Sequence, residues 1–303
     1  RLEEFMVRIP RLLAGAAISA IALGGLALAQ QPAKPPLFAT TKVDGTDNVY
    51  VFRYGNHQSM FVVTKEGVIA TDPIAYGRPQ AAVTYLDEIR KVTNQPVKYV
   101  IYSHHHFDHI AGGKPFKDAG AKFVSHRRAW ERLNQLQDPH TVLPDEGVDD
   151  RSATTLGGTT PQLTYPGLNH SDSTLVIRLP KERIIFVVDT IPVGSVPGRG
   201  LIDFHPLESE DFIKKVLAMD WDRLIPGHPG QPGGRLGTKK DAQEQLEFLQ
   251  YASETVKVMA REGKCWEGVE KGLALPKYES WPGYANNLQF VARRYCALWG
   301  RGT

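Results

Sequence analysis

The sequence predicts an α/β protein in which sheets and helices are stacked in layers. Three observations predict this class. Short β-rich runs begin near residue 48, segments of helical periodicity alternate with apolar runs up to about residue 238, and the remainder is mostly helical. Strands that alternate with helices form a layered sandwich with the helices outside. Of the 303 residues, 42% are hydrophobic, which is ample for such a core.

The first half of the layered region begins with strands. The runs NVYVFRYG, HQSMFVVTKEG and GVIATDP predict a meander of short strands. RPQAAVTYLDEIRKVTN has apolar residues at helical spacing, and PVKYVIYS is typical of a buried strand. AKFVS predicts another strand, and HRRAWERLNQLQ predicts a helix.

The second half continues the alternation. TVLPDEGVDDRSATTLGGTTPQ is long and polar and predicts a loop, whereas STLVIRLP and RIIFVVDT predict consecutive strands. We expect a helix over ESEDFIKKVLAMD, with Ser209 and Phe212 in its first turn, and a short strand over DRLIPGHPG. The longest helical candidate is KDAQEQLEFLQYASETVKVMAREGK. We therefore expect a layered domain over 48–238 and a helical extension over 239–303 packed on it.

The N-terminal 1–29 segment has the order of a secretory signal peptide. MVRIPR supplies a basic start, an apolar run follows, and Ala27–Ala29 forms a small-x-small cleavage signal. The acidic RLEEF does not fit such a signal, so we expect the true start at Met6. A membrane anchor is the alternative, because residues 12–29 are just long enough to span a bilayer. Alanine, glycine and serine dilute that run, so we expect cleavage, no stable membrane anchor, and a periplasmic or secreted protein.

A proline-rich lead-in without periodicity, either disordered or extended, is expected over 30–47. The formal net charge of +3 is small and dispersed, which argues against a nucleic-acid partner. Both cysteines, Cys265 and Cys296, fall in the helical extension. An oxidising compartment permits a disulfide between them, and two buried free thiols are the alternative.

The segment YSHHHFDHIAGG concentrates four histidines and one aspartate directly behind a predicted buried strand. His104 and His106 point to the same side because side chains alternate along a strand, and two imidazoles so placed can share a metal ion. Asp108 and His109 can reach a second ion beside it. Imidazole and carboxylate ligands suit zinc first, with iron or manganese as alternatives.

Three further metal-capable residues stand at predicted strand ends, where the loops of a layered fold converge on sites. They are His170 in PGLNHSDST, Asp189 in IIFVVDT and His228 in LIPGHPG. We expect surface or structural roles for the histidines without paired ligands at a matching spacing, namely His57, His126, His140 and His205. If one of them reaches the pocket instead, we expect it to be His205 in IDFHP.

The HHHFDH run, followed by these three residues, closely resembles the metallo-β-lactamase superfamily over roughly residues 48–230. The resemblance implies an αβ/βα four-layer sandwich, a catalytic domain at 48–238 and a binuclear metal site. One ion would be bound by His104, His106 and His170, and the other by Asp108, His109 and His228, with Asp189 bridging. Asp72 in GVIATDP resembles the first motif of the family and is expected to be structural. Because side chains alternate along a strand, His105 lies on the face opposite to His104 and His106 and is expected to support the ligands from behind or to be buried.

The aspartate at position 189 distinguishes subgroups of this family. Classical metallo-β-lactamases have Cys or Ser near that point, so the chain is more similar to glyoxalase II-like enzymes and lactonases. The resemblance implies a hydrolase with two Zn²⁺ ions, and the predicted signal peptide implies that it is exported. In it a metal-activated hydroxide, oriented by Asp108 as the catalytic residue, attacks a small-molecule ester, thioester or lactone.

Other functions stay open at this point. Within the family, the alternatives are β-lactam hydrolysis and hydrolytic dehalogenation of an activated ring. In another class, the alternative is a non-catalytic protein that binds metal or a partner. The C-terminal YESWPGYANNLQFVARRY resembles an interaction or lid element, which predicts a homodimer.

Overall fold

Two β-sheets lie at the centre of the protein. In this computed structural model the described residues are 35–230 and 234–303. The first sheet has seven strands, in spatial order β1 (Phe38–Lys42), β2 (Val49–Tyr54), β3 (His57–Val63), β4 (Val68–Thr71), β5 (Val97–Ile101), β6 (Lys122–His126) and β7 (Glu146–Val148). The second has five, in the order β12 (Arg223–Pro226), β11 (Ile184–Val187), β10 (Val176–Leu179), β9 (Gln162–Thr164) and β8 (Arg151–Ala153).

Eight α-helices accompany the sheets in the described part of the chain. They are α1 (Gln80–Val92), α2 (Phe107–Ile110), α3 (Lys114–Asp118), α4 (Arg127–Leu136), α5 (Pro206–Ala218), α6 (Lys239–Arg261), α7 (Glu267–Gly272) and α8 (Tyr284–Arg301). Short 3₁₀ turns occur at Arg199–Asp203 and Pro276–Tyr278. None of the helices in the described ranges is long and apolar enough to cross a bilayer.

Within the described ranges, three hydrophobic cores separate four layers. Ile101 and Phe186 are buried between the two sheets. Tyr85 of α1 is buried against the outer face of the first sheet, and Phe212 of α5 and Leu249 of α6 are buried against the outer face of the second. The αβ/βα four-layer sandwich expected from the sequence is therefore confirmed. Residues from Pro35 to Thr303, including the helical extension, form one compact unit.

The apolar run of β11 follows from burial on both faces. Ile184 and Phe186 belong to the core between the sheets, whereas Ile185 and Val187 belong to the core under the C-terminal helices. A strand covered on both sides is apolar at every position rather than at every second one. This explains why RIIFVVDT is recognisable as a strand from the sequence alone.

Three segments refine or differ from the sequence-based expectations. The lead-in contains β1, which pairs antiparallel with β2 through main-chain hydrogen bonds, so its FATTK sequence needs no apolar alternation. The expected polar loop contains β7 and β8, whose three residues each are too short to show periodicity. Helix α5 begins at Pro206 rather than near Ser209, because proline is favoured in the first helical turn.

The predicted signal peptide at 1–29 lies outside the described residues.

Candidate metal centre

The topology brings strand ends from both sheets to one edge of the sandwich. Strands β4 and β5 are parallel, as are β11 and β12, so each pair ends on a common side. The HHHFDH run follows β5, and one residue separates Asp189 from the end of β11 and His228 from the end of β12. Since β3 is antiparallel to β4, the beginning of β3, with His57, lies at this same edge.

All seven residues predicted as ligands lie together in two neighbouring groups. In each group the ligand atoms are within 4.8 Å of one another. The first group consists of His104, His106, His170 and Asp189. The second consists of His57, Asp108, His109 and His228. The pairing matches the ligand sets that the resemblance implied, with His57 as an addition.

Asp189 joins the two groups. Its Oδ2 lies 3.2 Å from Nε2 of His170 in the first group and 3.2 Å from Nε2 of His109 in the second. Its Oδ1 lies 3.0 Å from Nε2 of His228. The backbone of Asp189 has φ 62°, in the left-handed region that non-glycine residues rarely adopt. Such conformations persist where the surrounding structure enforces them, and they are concentrated at functional sites.

Buried polar atoms without partners show that the first group suits a cation. Nε2 of His104, Nε2 of His170 and Oδ1 of Asp189 are buried, and none of them has a partner in hydrogen-bond geometry among the described residues, although charged atoms lie within 3.5 Å. Each such atom costs roughly 1–3 kcal/mol of folding free energy. A divalent cation would satisfy nitrogen and carboxylate donors together, and this donor set is one that zinc prefers. The residues therefore fit the metal that the sequence predicts.

The outer nitrogens of the first-group histidines have partners that fix the rings. Oδ2 of Asp203 lies 2.9 Å from Nε2 of His106, and Oδ1 of Asp203 lies 3.3 Å from Nδ1 of His170. Nδ1 of His104 lies 2.9 Å from Oγ of Ser103. Nδ1 of His106 and Nε2 of His104 and His170, the nitrogens on the opposite sides of these rings, are therefore available to bind a cation. Metal-binding histidines are oriented in this way by partners of the second nitrogen.

Asp72 and His105 lie outside both groups, as expected. Asp72 is fully buried, and its Oδ1 accepts a hydrogen bond of 2.8 Å from the Ser103 amide. Its Oδ2 lies 4.0 Å from Nδ1 of His109, on the side of that ring away from Asp189. Nδ1 of His105 lies 2.8 Å from Oγ of Ser173. Both residues support the cluster without joining it.

Burial and neighbouring charges shift the pKa values of His57, His109 and Asp189 in different directions. Burial lowers the pKa of His109, but Asp189, Asp108 and Asp72 outweigh it and raise that pKa to about 9. Burial lowers the pKa of His57 to about 4, against the opposing hydrogen bond with Asp108. Burial raises the pKa of Asp189, but the neighbouring histidines His109 and His228 hold it well below its usual range. Without metal, one imidazolium would thus be held among ionised carboxylates.

Two residues of the site were missed by sequence reasoning. His57 was expected to have a surface or structural role, but it is buried, and its Nε2 lies 3.1 Å from Oδ2 of Asp108. The signal that could have found it is a histidine at the first position of a buried strand. Asp203 stands in the 3₁₀ turn Arg199–Asp203, and no pattern in the sequence marks it.

A cavity of about 440 Å³ opens on both groups. Its polar floor is formed by His106, Asp108, His170, Asp189 and His228. Its walls are largely apolar and include Ile191, Val196, Leu201, Phe204 and Pro282. Arg199 is the one Lys or Arg among the described residues that line it. His205, the histidine expected to reach a pocket, does not line this one.

Pro282, Gly283 and Asn287 come from the C-terminal extension, so that extension completes the cavity.

The metallo-beta-lactamase superfamily model matches residues 55–228, more than half of the chain. The chain is 26% identical over 196 residues to the 2,4-dinitroanisole O-demethylase subunit alpha of Nocardioides sp. (strain JS1661), covering 64% of this chain but only 58% of that protein. It is also 26% identical over 187 residues to metallo-beta-lactamase type 2 of Elizabethkingia meningoseptica, covering 59% of this chain and 69% of that one.

Solved structures show the same fold. A metallo-beta-lactamase from Pontibacter korlensis superposes with a TM-score of 0.62 at 20% identity, covering 70% of this chain and 99% of that one. The stereoselective inverting sec-alkylsulfatase Pisa1 from Pseudomonas sp. superposes with a TM-score of 0.67 at 14% identity, covering 86% of this chain and 50% of that one. Together with the two histidine–aspartate groups, the family match leads to one conclusion: the chain belongs to the metallo-beta-lactamase superfamily.

Proposed function

We propose that the protein is a binuclear zinc hydrolase of small, largely apolar esters, thioesters or lactones. The observation that carries the proposal is the pair of metal-capable groups, joined by Asp189, on the floor of a cavity of about 440 Å³. Two adjacent cation sites that share a carboxylate and face a small cavity suit hydrolysis by an activated water molecule.

Each ligand has a role in this proposal. Bound zinc lowers the pKa of a coordinated water to about 7, which supplies a nucleophile at neutral pH. The first ion would be held by His104, His106 and His170, the second by Asp108, His109 and His228, and Asp189 would contact both. Asp108 also lines the cavity, and its hydrogen bond with His57 and the nearby His109 hold its pKa below the usual range against burial. As a carboxylate it can accept a hydrogen bond from the attacking water and then its proton.

The cavity walls support the substrate class. An apolar acyl chain or lactone ring can contact Ile191, Leu201 and Phe204, which are buried apolar residues lining the cavity. Arg199 offers a single guanidinium, enough for one anionic group but not for a cluster of phosphate or sulfate oxygens. The aspartate at 189 also favours the glyoxalase II or lactonase-like subgroup over the classical β-lactamases.

A second candidate is displacement on an electron-poor aromatic ring. It is favoured by the relative named 2,4-dinitroanisole O-demethylase subunit alpha, although the chain spans only 58% of that protein. Attack of an activated water on such a ring expels an alkoxide or a halide, and the apolar walls can stack on the ring. β-Lactam hydrolysis remains a further alternative within the family.

Export and a dimeric state belong to the same proposal. A protein with the 1–29 segment removed, recovered outside the cytoplasm, would support the predicted signal peptide, and N-terminal sequencing of the exported form tests this. Size-exclusion chromatography with light scattering tests the predicted homodimer, and a monomer at micromolar concentration argues against it.

The function is tested with zinc-loaded protein and a panel of aryl esters, lactones, thioesters, a β-lactam and 2,4-dinitroanisole. We expect turnover of esters or lactones, lost on chelation and restored by zinc. Asp108→Ala and His170→Ala should each lower kcat/KM at least about 100-fold, as removal of a central catalytic group does. The exposed His140 provides the control His140→Gln, expected to have wild-type rates. Zinc-loaded protein that turns over no substrate of the panel would contradict the proposal.

A further inference from the structure

We propose that His57 is a further ligand of the second cation, which it would hold together with Asp108, His109 and His228 beside the shared Asp189 carboxylate. The inference rests on the proposed function, because it takes the second group to be a metal site. The family resemblance assigned that site only Asp108, His109 and His228, with Asp189 shared.

The distances within the second group fit four ligands around one ion. Four atoms placed 2.0–2.1 Å from a common centre in a tetrahedron lie about 3.3 Å apart. Nε2 of His57 is 3.1 Å from Oδ2 of Asp108, and Nε2 of His109 is 3.5 Å from that same oxygen. Nε2 of His109 is 3.3 Å from Nε2 of His228. All four ligand atoms lie within 4.8 Å of one another, as in the first group.

The backbone fixes His57 against His228 from the opposite sheet. The Gln58 amide donates a hydrogen bond of 2.7 Å to the Gly227 carbonyl, and the Gln58 side chain donates one of 2.9 Å to the Pro226 carbonyl. Nδ1 of His228 lies 2.5 Å from the carbonyl oxygen of Asn56. The two rings are in edge contact, with centroids 4.3 Å apart. The beginning of β3 and the end of β12 are thus tied together at the two residues that would share the ion.

His57 also lies on the side of the group away from the substrate. Asp108 and His228 line the cavity, whereas His57 and His109 do not. His57 is 9% exposed, so its ring is not placed to contact a substrate. His57 would therefore hold the ion from its buried side, and the side that faces the cavity would stay accessible to water and substrate.

The test measures metal binding rather than turnover. Metal-depleted full-length wild type, His57→Gln and the control His140→Gln are reloaded with zinc, and bound zinc is titrated against a chelator of known affinity. We expect wild type and His140→Gln to bind two ions. His57→Gln should retain the first ion, which also shows that it is folded, and bind the second at least about 100-fold more weakly. The cobalt(II) absorption of the second equivalent should also change.

The alternative role for His57 is to orient Asp108 by a hydrogen bond. Glutamine can donate that hydrogen bond but is a poor zinc ligand, so an orienting role predicts that His57→Gln keeps wild-type affinity and an unchanged cobalt spectrum. That result would overturn the inference. If wild type binds no zinc, the proposed function fails instead, so the two failures are distinguishable.

A measurement on the wild type alone covers the case in which the variant does not fold. The proposal requires six zinc-bound histidines, three from each group. Long-range ¹H–¹⁵N correlation spectra of the zinc-loaded protein count coordinated imidazoles directly. Six coordinated imidazoles would support the inference. Five coordinated imidazoles, with the ring ¹⁵N signals of His57 unchanged when zinc is added, would overturn it.

Discussion

Oδ2 of Asp203 lies 2.9 Å from Nε2 of His106, and the other oxygen of the same carboxylate lies 3.3 Å from Nδ1 of His170. One side chain thus contacts the outer nitrogens of two candidate ligands of the first ion. Carboxylates in this position fix the ring orientation and increase the basicity of the ligating nitrogen.

Asp203→Asn should weaken the first zinc site. An amide has a single acceptor oxygen, so at most one of the two rings remains held, and the negative charge is lost. Loss of such an outer partner costs about 10–100-fold in metal affinity. Zinc competition measures this, with Asp211→Asn, which removes an exposed carboxylate paired with Lys214 on α5, as the control. Equal zinc affinity in both variants would argue against a positioning role for Asp203.

The metal-free protein should lose stability as the pH rises from about 6.5 to 9. The folded state raises the pKa of His109 from 6.5 to about 9, because Asp189, Asp108 and Asp72 outweigh its burial. A raised histidine pKa contributes stability that is complete below the unfolded value of 6.5 and is lost as the pH passes the folded value. Urea unfolding of the metal-free protein at several pH values measures how its free energy of unfolding changes with pH.

His109→Gln is the matched variant for this experiment. It lacks the titrating group, so its free energy of unfolding should vary less between pH 6.5 and 9. In the zinc-loaded wild type the cation replaces the proton, and zinc affinity should rise with pH over the same interval. A metal-free wild type whose stability is flat over this range would show that His109 is not held as an imidazolium.

The two cysteines form a disulfide between the segment after α6 and helix α8. The sulfur atoms of Cys265 and Cys296 are bonded, the Cα atoms are 5.5 Å apart, and the residues are 31 positions apart in sequence. Closing a loop of that length stabilises a protein by about 3–4 kcal/mol, mainly by restricting the unfolded chain. Cys265→Ser/Cys296→Ser should therefore unfold at clearly lower urea concentration. Two titratable thiols in the unreduced, unfolded wild type would contradict the bond.

Gly227→Ala should disturb the second group. A Cβ at this position would lie 2.5 Å from Cγ1 of Val188 and 3.1 Å from Cε1 of His109, so one of these side chains must move. Overpacking of this kind costs typically 1–3 kcal/mol of unfolding free energy. We expect that loss together with weaker binding of the second zinc ion. Gly272→Ala, whose Cβ would have only an ordinary contact of 3.5 Å with Met259, is the control and should lose less.

Most of the predicted ligands could be found from the sequence because they follow closely after an apolar strand, whereas His170 lies in the loop between β9 and β10. Asp189 follows the doubly buried β11, and His228 follows β12, so the layered fold had to bring their loops to one edge. Residues in isolated positions could not be found in the same way. Asp203 belongs to a short 3₁₀ turn, and His57 is 47 positions before His104, so only the pairing of β3 with β4 shows that it faces the cluster.

The secondary structure was likewise predictable only where a local pattern in the sequence marks the element. The long helix α6 was expected near its observed bounds, and it begins with a capping box between Thr238 and Asp241. Strands β7 and β8 have three residues each and form through partners distant in sequence, which no local pattern reveals. The contribution of Pro282 and Asn287 to the cavity is likewise a result of tertiary packing.

Counting the zinc ions held by each chain probes most directly whether two cations sit side by side and share the Asp189 carboxylate. Reconstituted, dialysed wild type should contain two equivalents by elemental analysis. A protein that keeps a single equivalent, or none, under the same conditions would contradict this account.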